Sequence, residues 1–432
     1  MAGIKRKMHF GRYDLAAFAS FFAYSSGVVV IPVALLALSR ELGFSLEEGG
    51  MTAGGGLHFG RTSAMVVSML VCGFVAGRYG KRRTLGVSLL LLTMGLMLCA
   101  FAPAYGFLFV ALLLCGLGEG VVEGLSTPFV EGLHKDEPGR YINFTHAFWS
   151  VGVMSTVLVA GFMLARGVNW RLIVGAVGGV ALVPAVLLLL PHRGKVYPEI
   201  PEVLSLRVVA GQAAVICLRP RFWLYFACMF VAAGGELVLT YWTASFIQIH
   251  MQSSALGGGV GIACFAGGMV LGRTFWGYVL QEHHLRPLVI GSAFMGTIVT
   301  LSIPHTANLF VLFALLFLAG LATAPFWPSV QSYAVQRLQG TDSTMVFILL
   351  SCAGIPGSGF FTWLAGFIAN HAADGLRHAF YLVPACYLVL MVLLVLDRKR
   401  TKGHPLKAND HLRGLERKRS VHMNKRDSSQ PL

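Results

Sequence analysis

Two carboxylates and a histidine stand inside apolar runs, where a bilayer should exclude them. Glu119 and Glu123 lie four residues apart in one run, and Asn143 and His146 lie three apart near the start of the next. On a helix each pair shares a face. Charged groups at membrane depth are costly. They face a bundle interior or a water-filled cavity, where they carry ions or substrate. A coupling carboxyl must bind and release its proton within the cell's pH range, and two on one face can share one proton. Glu119 and Glu123 are therefore expected to be proton groups, with His146 as a relay. The plain alternatives are a hydrogen bond to a neighbouring helix for each glutamate and a backbone-satisfied ring for His146.

Further along, Glu236 sits near the middle of another apolar run with no obvious cation close to it in sequence. It is a third candidate proton group. Tyr241 and Trp242 follow it and could stack on a sugar's apolar face, although aromatics at membrane interfaces are common. Trp327 and Gln331 stand behind Pro325 and Pro328, which should break their helix. Unwound backbone beside an amide and an aromatic suits polyol recognition, with core packing as the alternative. Asp14 reads as a helix N-cap. His283 and His284 have only Glu282 beside them, so no metal site is expected. No G-x4-G-K-[ST] loop is present to cradle a phosphate, and no hydrolytic motif sits in a believable context. Neither an enzyme nor a cofactor is expected.

The elements that position these residues follow from composition. The chain has 432 residues, 56% hydrophobic and 12% charged, against about 25% charged in a soluble domain. Mean hydropathy is +0.69. A globular fold would lack the polar groups to cover its surface, so the membrane class is expected. A spanning helix needs about 20 mostly apolar residues. Twelve runs qualify: 14–38, 57–77, 84–102, 107–129, 142–165, 170–190, 222–247, 256–280, 286–303, 308–333, 344–369 and 377–396. A polar stretch, 192–221, separates the sixth from the seventh, and its 203–218 portion could form an amphipathic surface helix. The expected organisation is a six-helix bundle over 1–191, a central loop over 192–221, a second bundle over 222–397 and a basic tail over 398–432.

The net charge of +15 could point to nucleic acid, but its distribution argues otherwise. With the N-terminus inside, 29 of the 34 Lys/Arg fall on the cytoplasmic side, against Arg40, Arg61, Arg166, Arg171 and Arg377 outside. This bias places both termini in the cytoplasm. The tail is expected to be disordered and attracted to anionic lipid. The eight cysteines form no CxxC and read as small buried hydrophobes.

The halves also echo each other. Gly73-FVA-Gly77-Arg78 and Gly268-MVL-Gly272-Arg273 share the pattern G-x-x-x-G-R, and each is preceded by a triple glycine, at 54–56 and 257–259. Duplicated halves with a midplane site between them are a common transporter plan. Twelve spans, a long central loop and the segment from Gly73 to Thr84 together resemble the major facilitator superfamily. Gly73, Arg78, Gly80, Lys81, Arg82 and Arg83 match that family's loop signature, while Gly77 stands where it has an acid. The resemblance implies a gating role for Gly73, Arg78, Gly80 and Arg82, with Gly272 and Arg273 as the second copy.

Within the superfamily, Gly116, Gly118, Glu123 and Asn143-Phe-Thr-His146, with Gly235-Glu236 and Trp242, resemble the fucose-permease-like sugar:proton symporters. That resemblance implies a proton group at Glu119 or Glu123 and a sugar ligand at Asn143. The fifth run lacks the G-x-x-x-G-P of exporter branches. The expected function is proton-coupled uptake of a small polar solute, with a sugar as the leading class, by a monomer in a cell inner membrane. The alternatives are a proton-coupled exporter of amphipathic compounds and a transporter-derived receptor without flux.

Overall fold

The computed structural model describes residues 8–134, 138–190, 197, 206–279 and 284–397, without the side chains of 138–140, 143, 206–209, 277–279 and 344. The tail after 397, His283 and the Asn143 side chain therefore lie outside the described residues. The chain divides into a unit of Met1–Leu394 and a second unit beginning at Val395. All of the following geometry belongs to the first.

The described residues are helical, with no strand among them. The helices are α1 (Arg12–Glu41), α2 (Met51–Tyr79), α3 (Lys81–Ala100), α4 (Tyr105–Leu133), α5 (Pro138–Ala165), α6 (Trp170–Leu189), α7 (Leu206–Cys217) and α8 (Pro220–Ile249). They continue with α9 (Ala255–Val279), α10 (Leu285–Ser302), α11 (Leu309–Thr323), α12 (Phe326–Arg337), α13 (Ser343–His371), α14 (Leu376–Ala379) and α15 (Leu382–Leu396). Twelve spans are long and apolar enough to cross a membrane, with α11 and α12 forming one and α14 and α15 another. A helix satisfies its own backbone groups, which hydrocarbon cannot do.

Local chemistry sets the ends. Asn169, Asn308 and Asp342 cap α6, α11 and α13, their side chains accepting from Arg171 N, Phe310 N and Met345 N at 2.8, 2.9 and 2.7 Å. Gly80, with φ of +85°, turns the chain from α2 into α3. The tenth span breaks between α11 and α12 at Pro325, as the prolines require. The central stretch holds the short helix α7, within the expected amphipathic segment. Asp14 is not the N-cap. Gly11 holds that position, and its amide donates to an Asp14 carboxylate oxygen at 2.8 Å while His134 Nε2 meets the other at 2.5 Å.

Glycine seams bring the helices together. A Cβ on Gly116 of α4 would come within 2.2 Å of the Arg61 carbonyl oxygen, and one on Gly120 within 2.1 Å of that of Met65, both on α2. The second half repeats the device. A Cβ on Gly268 of α9 would meet Phe317 O at 2.1 Å, and one on Gly320 of α11 would meet Phe265 O at 2.0 Å. The triple glycines lie inside α2 and α9, so the second span begins at Met51, six residues before the apolar run suggested.

A Gly120→Val change should force α2 and α4 apart. Overpacking of this kind costs roughly 1–3 kcal/mol, read as a lower thermal midpoint in detergent. Gly179→Ala, at a position with nothing within 4 Å of the new methyl, should leave that midpoint unchanged or raised.

Candidate functional site

The α2–α4 seam places a charge pair at its centre. Arg61 Nε donates to Glu119 Oε2 at 2.7 Å, and Arg61 Nη2 donates to Glu119 Oε1. Arg61 is 2% exposed and Glu119 fully buried. The planar guanidinium suits this two-pronged geometry, which offsets much of the cost of removing both charges from water. Gly27 of α1 leaves room for the pair: a Cβ there would stand 3.2 Å from Glu119 Oε1.

This geometry revises two expectations. Arg61 belongs to α2 and the bundle interior, not to an outer loop. Glu119 has both oxygens taken by Arg61, so it does not stand free to share a proton with Glu123. One turn along α4, Glu123 is half-buried and meets the Tyr24 hydroxyl of α1. No basic side chain pairs with it among the described residues.

The second half carries another pair. Arg273 Nη2 of α9 lies 3.5 Å from Glu236 Oε1 of α8, with the two side chains 33% and 7% exposed. Glu236 therefore does have a cation beside it, nearly two turns inside the end of α9. Arg273 thus sits within a span rather than in a loop. Opposite, His146 of α5 is exposed, shares a hydrogen bond of 3.1 Å with Thr127 of α4, and lies within electrostatic reach of Arg273. Its ring rests 4.4 Å from that of Phe21.

Tyr241 and Trp242 occupy a different place. Both are buried, Tyr241 donating to the Gly54 carbonyl at 2.6 Å and Trp242 Nε1 to that of Thr362 at 2.9 Å. Nearby, Asn370 of α13 accepts from Met51 N at 3.1 Å and donates to Gly49 O at 2.6 Å and Thr52 Oγ1 at 2.8 Å. These bonds tie α8 and α13 to the start of α2 and seal that end of the bundle. Tyr241 and Trp242 therefore serve the seal in this conformation and present no open face to a sugar. Gln331 is 7% exposed and donates to Ser351 Oγ at 3.1 Å. Trp327 packs on Gly354, where a Cβ would come within 2.4 Å of the indole.

Among the loop residues, Arg82 donates to the Leu188 carbonyl and Lys81 to that of Pro128 at 3.4 Å. The Arg78 guanidinium lies 5.5 Å from the Tyr79 ring centroid. Gly73 has nothing within 4 Å of where a Cβ would stand, whereas Gly272 is wedged against Ala324. The two copies of G-x-x-x-G-R thus do different work, the second as a packing seam that delivers Arg273 to Glu236. The sequence marks Arg61 only as an outer basic residue and gives Tyr24 no role, because the partner of each lies on α4, far along the chain. The small residues at Gly54, Gly55, Gly56 and Gly60 were the available sign that α2 begins early enough to bury Arg61.

A family model described as Major Facilitator Superfamily matches residues 16–279 and 253–426. The chain belongs to the major facilitator superfamily. It is a multi-pass membrane protein of transporter fold, not an enzyme, with twelve helices long and apolar enough to span a membrane among the described residues. It resembles a D-xylose-proton symporter structure with a TM-score of 0.73 at 13% identity, over 91% of this chain and 99% of that one. Against the nucleoside transporter NupG the TM-score is 0.71 at 12% identity, over 90% and 99%. Against an inward open conformation of the xylose transporter XylE from E. coli it is 0.66 at 14%, over 92% and 98%. At such identities the likeness is one of fold.

By sequence, this member of the superfamily is 32% identical to the Synaptic vesicle 2-related protein of Bos taurus over 114 residues, 26% of this chain. That match spans about a fifth of the relative, 21% of its length. It is 28% identical to the Plastidic glucose transporter 4 of Arabidopsis thaliana over 171 residues, 39% of this chain and 30% of that one.

Removing one partner of a buried pair leaves the other charge uncompensated. Arg61→Gln should destabilise the protein by roughly 3–5 kcal/mol, and Arg61→Met with Glu119→Leu should recover most of the loss. Detergent melting of the two single variants and the double variant measures the coupling. Additive losses would mean that the pair does not hold α2 to α4.

Proposed function

We propose that the chain is a proton-coupled importer of a small polar organic solute, with sugars as the leading class. The observation that carries the reading is Glu123, a carboxyl at membrane depth with a phenol beside it and no basic partner among the described residues. A carboxyl with no cation beside it carries its charge at a cost in a low-dielectric bundle. Proton uptake at Glu123 therefore removes a charge that would otherwise oppose closure of the bundle around substrate. The Arg61–Glu119 pair one turn away holds α4 in register.

In the mechanism, substrate and proton enter from outside, the seal at Tyr241, Trp242 and Asn370 forms, and the opposite end opens. His146 relays the proton to water, and Asn143, Trp327 and Gln331 contact the solute. The bundles at 1–191 and 222–397 rock about the site, joined by 192–221. The segment carrying Gly73, Arg78, Gly80 and Arg82 gates the end where both termini lie. The protein works as a monomer in a cell inner membrane with its termini in the cytoplasm. The sugar reading draws support from the fold shared with a D-xylose-proton symporter and the partial match to a plastidic glucose transporter.

The test is uptake of labelled hexoses and deoxyhexoses by purified protein in liposomes, with and without an inward proton gradient. Gradient-driven accumulation of one solute is expected. Glu123→Gln should abolish accumulation while solute exchange survives. Accumulation undiminished in that variant would remove Glu123 from coupling, and movement of amphipathic compounds alone would favour export.

A further inference from the structure

The two charge pairs differ in a way that the proton reading leaves unused. Arg61 and Glu119 satisfy each other through two short hydrogen bonds in a dry seam. Arg273 and Glu236 come no closer than 3.5 Å. The Arg273 Nε is buried without a hydrogen-bond partner, yet a third of the side chain is exposed. A guanidinium offers five N–H donors in a planar fork that matches a carboxylate. A pair held this loosely does not offset the cost of its own desolvation well, and the fork retains unspent donors.

The surroundings narrow what those donors would take. His146 is exposed across from Arg273 and presents a polar ring held by Thr127. Tyr387 packs behind Gly235 and shares its hydroxyl with Thr323, so it does not compete for the guanidinium. With Glu236 already beside it, one guanidinium cannot compensate a dianion such as a sugar phosphate. It can compensate a single carboxylate if that group displaces Glu236.

We propose that Arg273 is a substrate-anion site, receiving the carboxylate of an acidic sugar, a hexuronate or an aldonate, in exchange for Glu236. Glu236 is then the resident counter-ion that keeps the empty site neutral and is released when the solute binds. The proposal rests on the sugar-uptake reading and narrows its substrate to monoanionic sugars.

The experiment compares labelled glucuronate, gluconate and glucose in proteoliposomes under an inward proton gradient. Binding of each, and of lactate, is followed in parallel by thermal shift in detergent. Saturable uptake of an acidic sugar is expected, with glucose transported poorly. Arg273→Gln should weaken acid binding about 100-fold and Arg273→Lys about tenfold, since an ammonium keeps the charge but not the fork. Glu236→Gln should tighten acid binding about tenfold by removing the internal competitor.

Uptake of glucose but not glucuronate would overturn the proposal and leave the sugar reading standing, as would unchanged acid affinity in Arg273→Gln. If that variant does not fold, unchanged acid affinity in Glu236→Gln overturns it equally. If no sugar of either kind moves, the sugar reading falls, and the thermal shift then decides the anion site. Stabilisation by gluconate or lactate that Glu236→Gln enhances would sustain it, and no stabilisation by any acid would end it.

Discussion

A full charge inside a helical membrane bundle must find its opposite, and in this protein that requirement fixes the α2–α4 contact. Arg61 and Glu119 can meet at hydrogen-bonding distance only because Gly116 and Gly120 let the two backbones approach until no Cβ would fit. Without the glycines the carboxylate would be stranded, and without the ion pair the seam would have little to set its register. The side chains and the seam are one structure. Gly27 extends it to α1, whose missing Cβ leaves space for the guanidinium.

The same logic explains why the second half is built differently. Gly268, Gly272 and Gly320 pack α9 on α11 by the same close approach. Here, however, the arginine falls toward the end of the seam and points across to α8, where Glu236 reaches it only at 3.5 Å. One pair is closed and dry, the other longer and partly open on its arginine side. A transporter needs both kinds of contact. Permanent contacts keep each bundle rigid, while marginal ones, whose alternatives differ little in free energy, are available to exchange partners when a solute arrives.

The seal obeys a further constraint. Where α2 meets α8 and α13, Tyr241 and Asn370 bond backbone atoms at Gly49, Met51 and Gly54, while Trp242 ties α8 to α13 through Thr362. Bonds of this type are individually modest. A handful can hold one end shut and still be broken together at modest cost.

The sequence by itself determined the class, the number of spans and the break in the tenth, because hydropathy, span length and proline chemistry act locally along the chain. It also marked Glu119, Glu123, His146 and Glu236, since ionisable residues stand out in apolar runs whatever surrounds them. What those residues face was decided only by the tertiary structure. Arg61 lies 58 positions from Glu119, and Arg273 lies 37 from Glu236. No periodicity encodes which glycine seam will bring two distant helices together. The aromatic pair Tyr241 and Trp242 shows the same limit from the other side. Its residue types fit a sugar's face as well as they fit a gate, and only the positions of Gly54 and Thr362 opposite them settle which bonds they make.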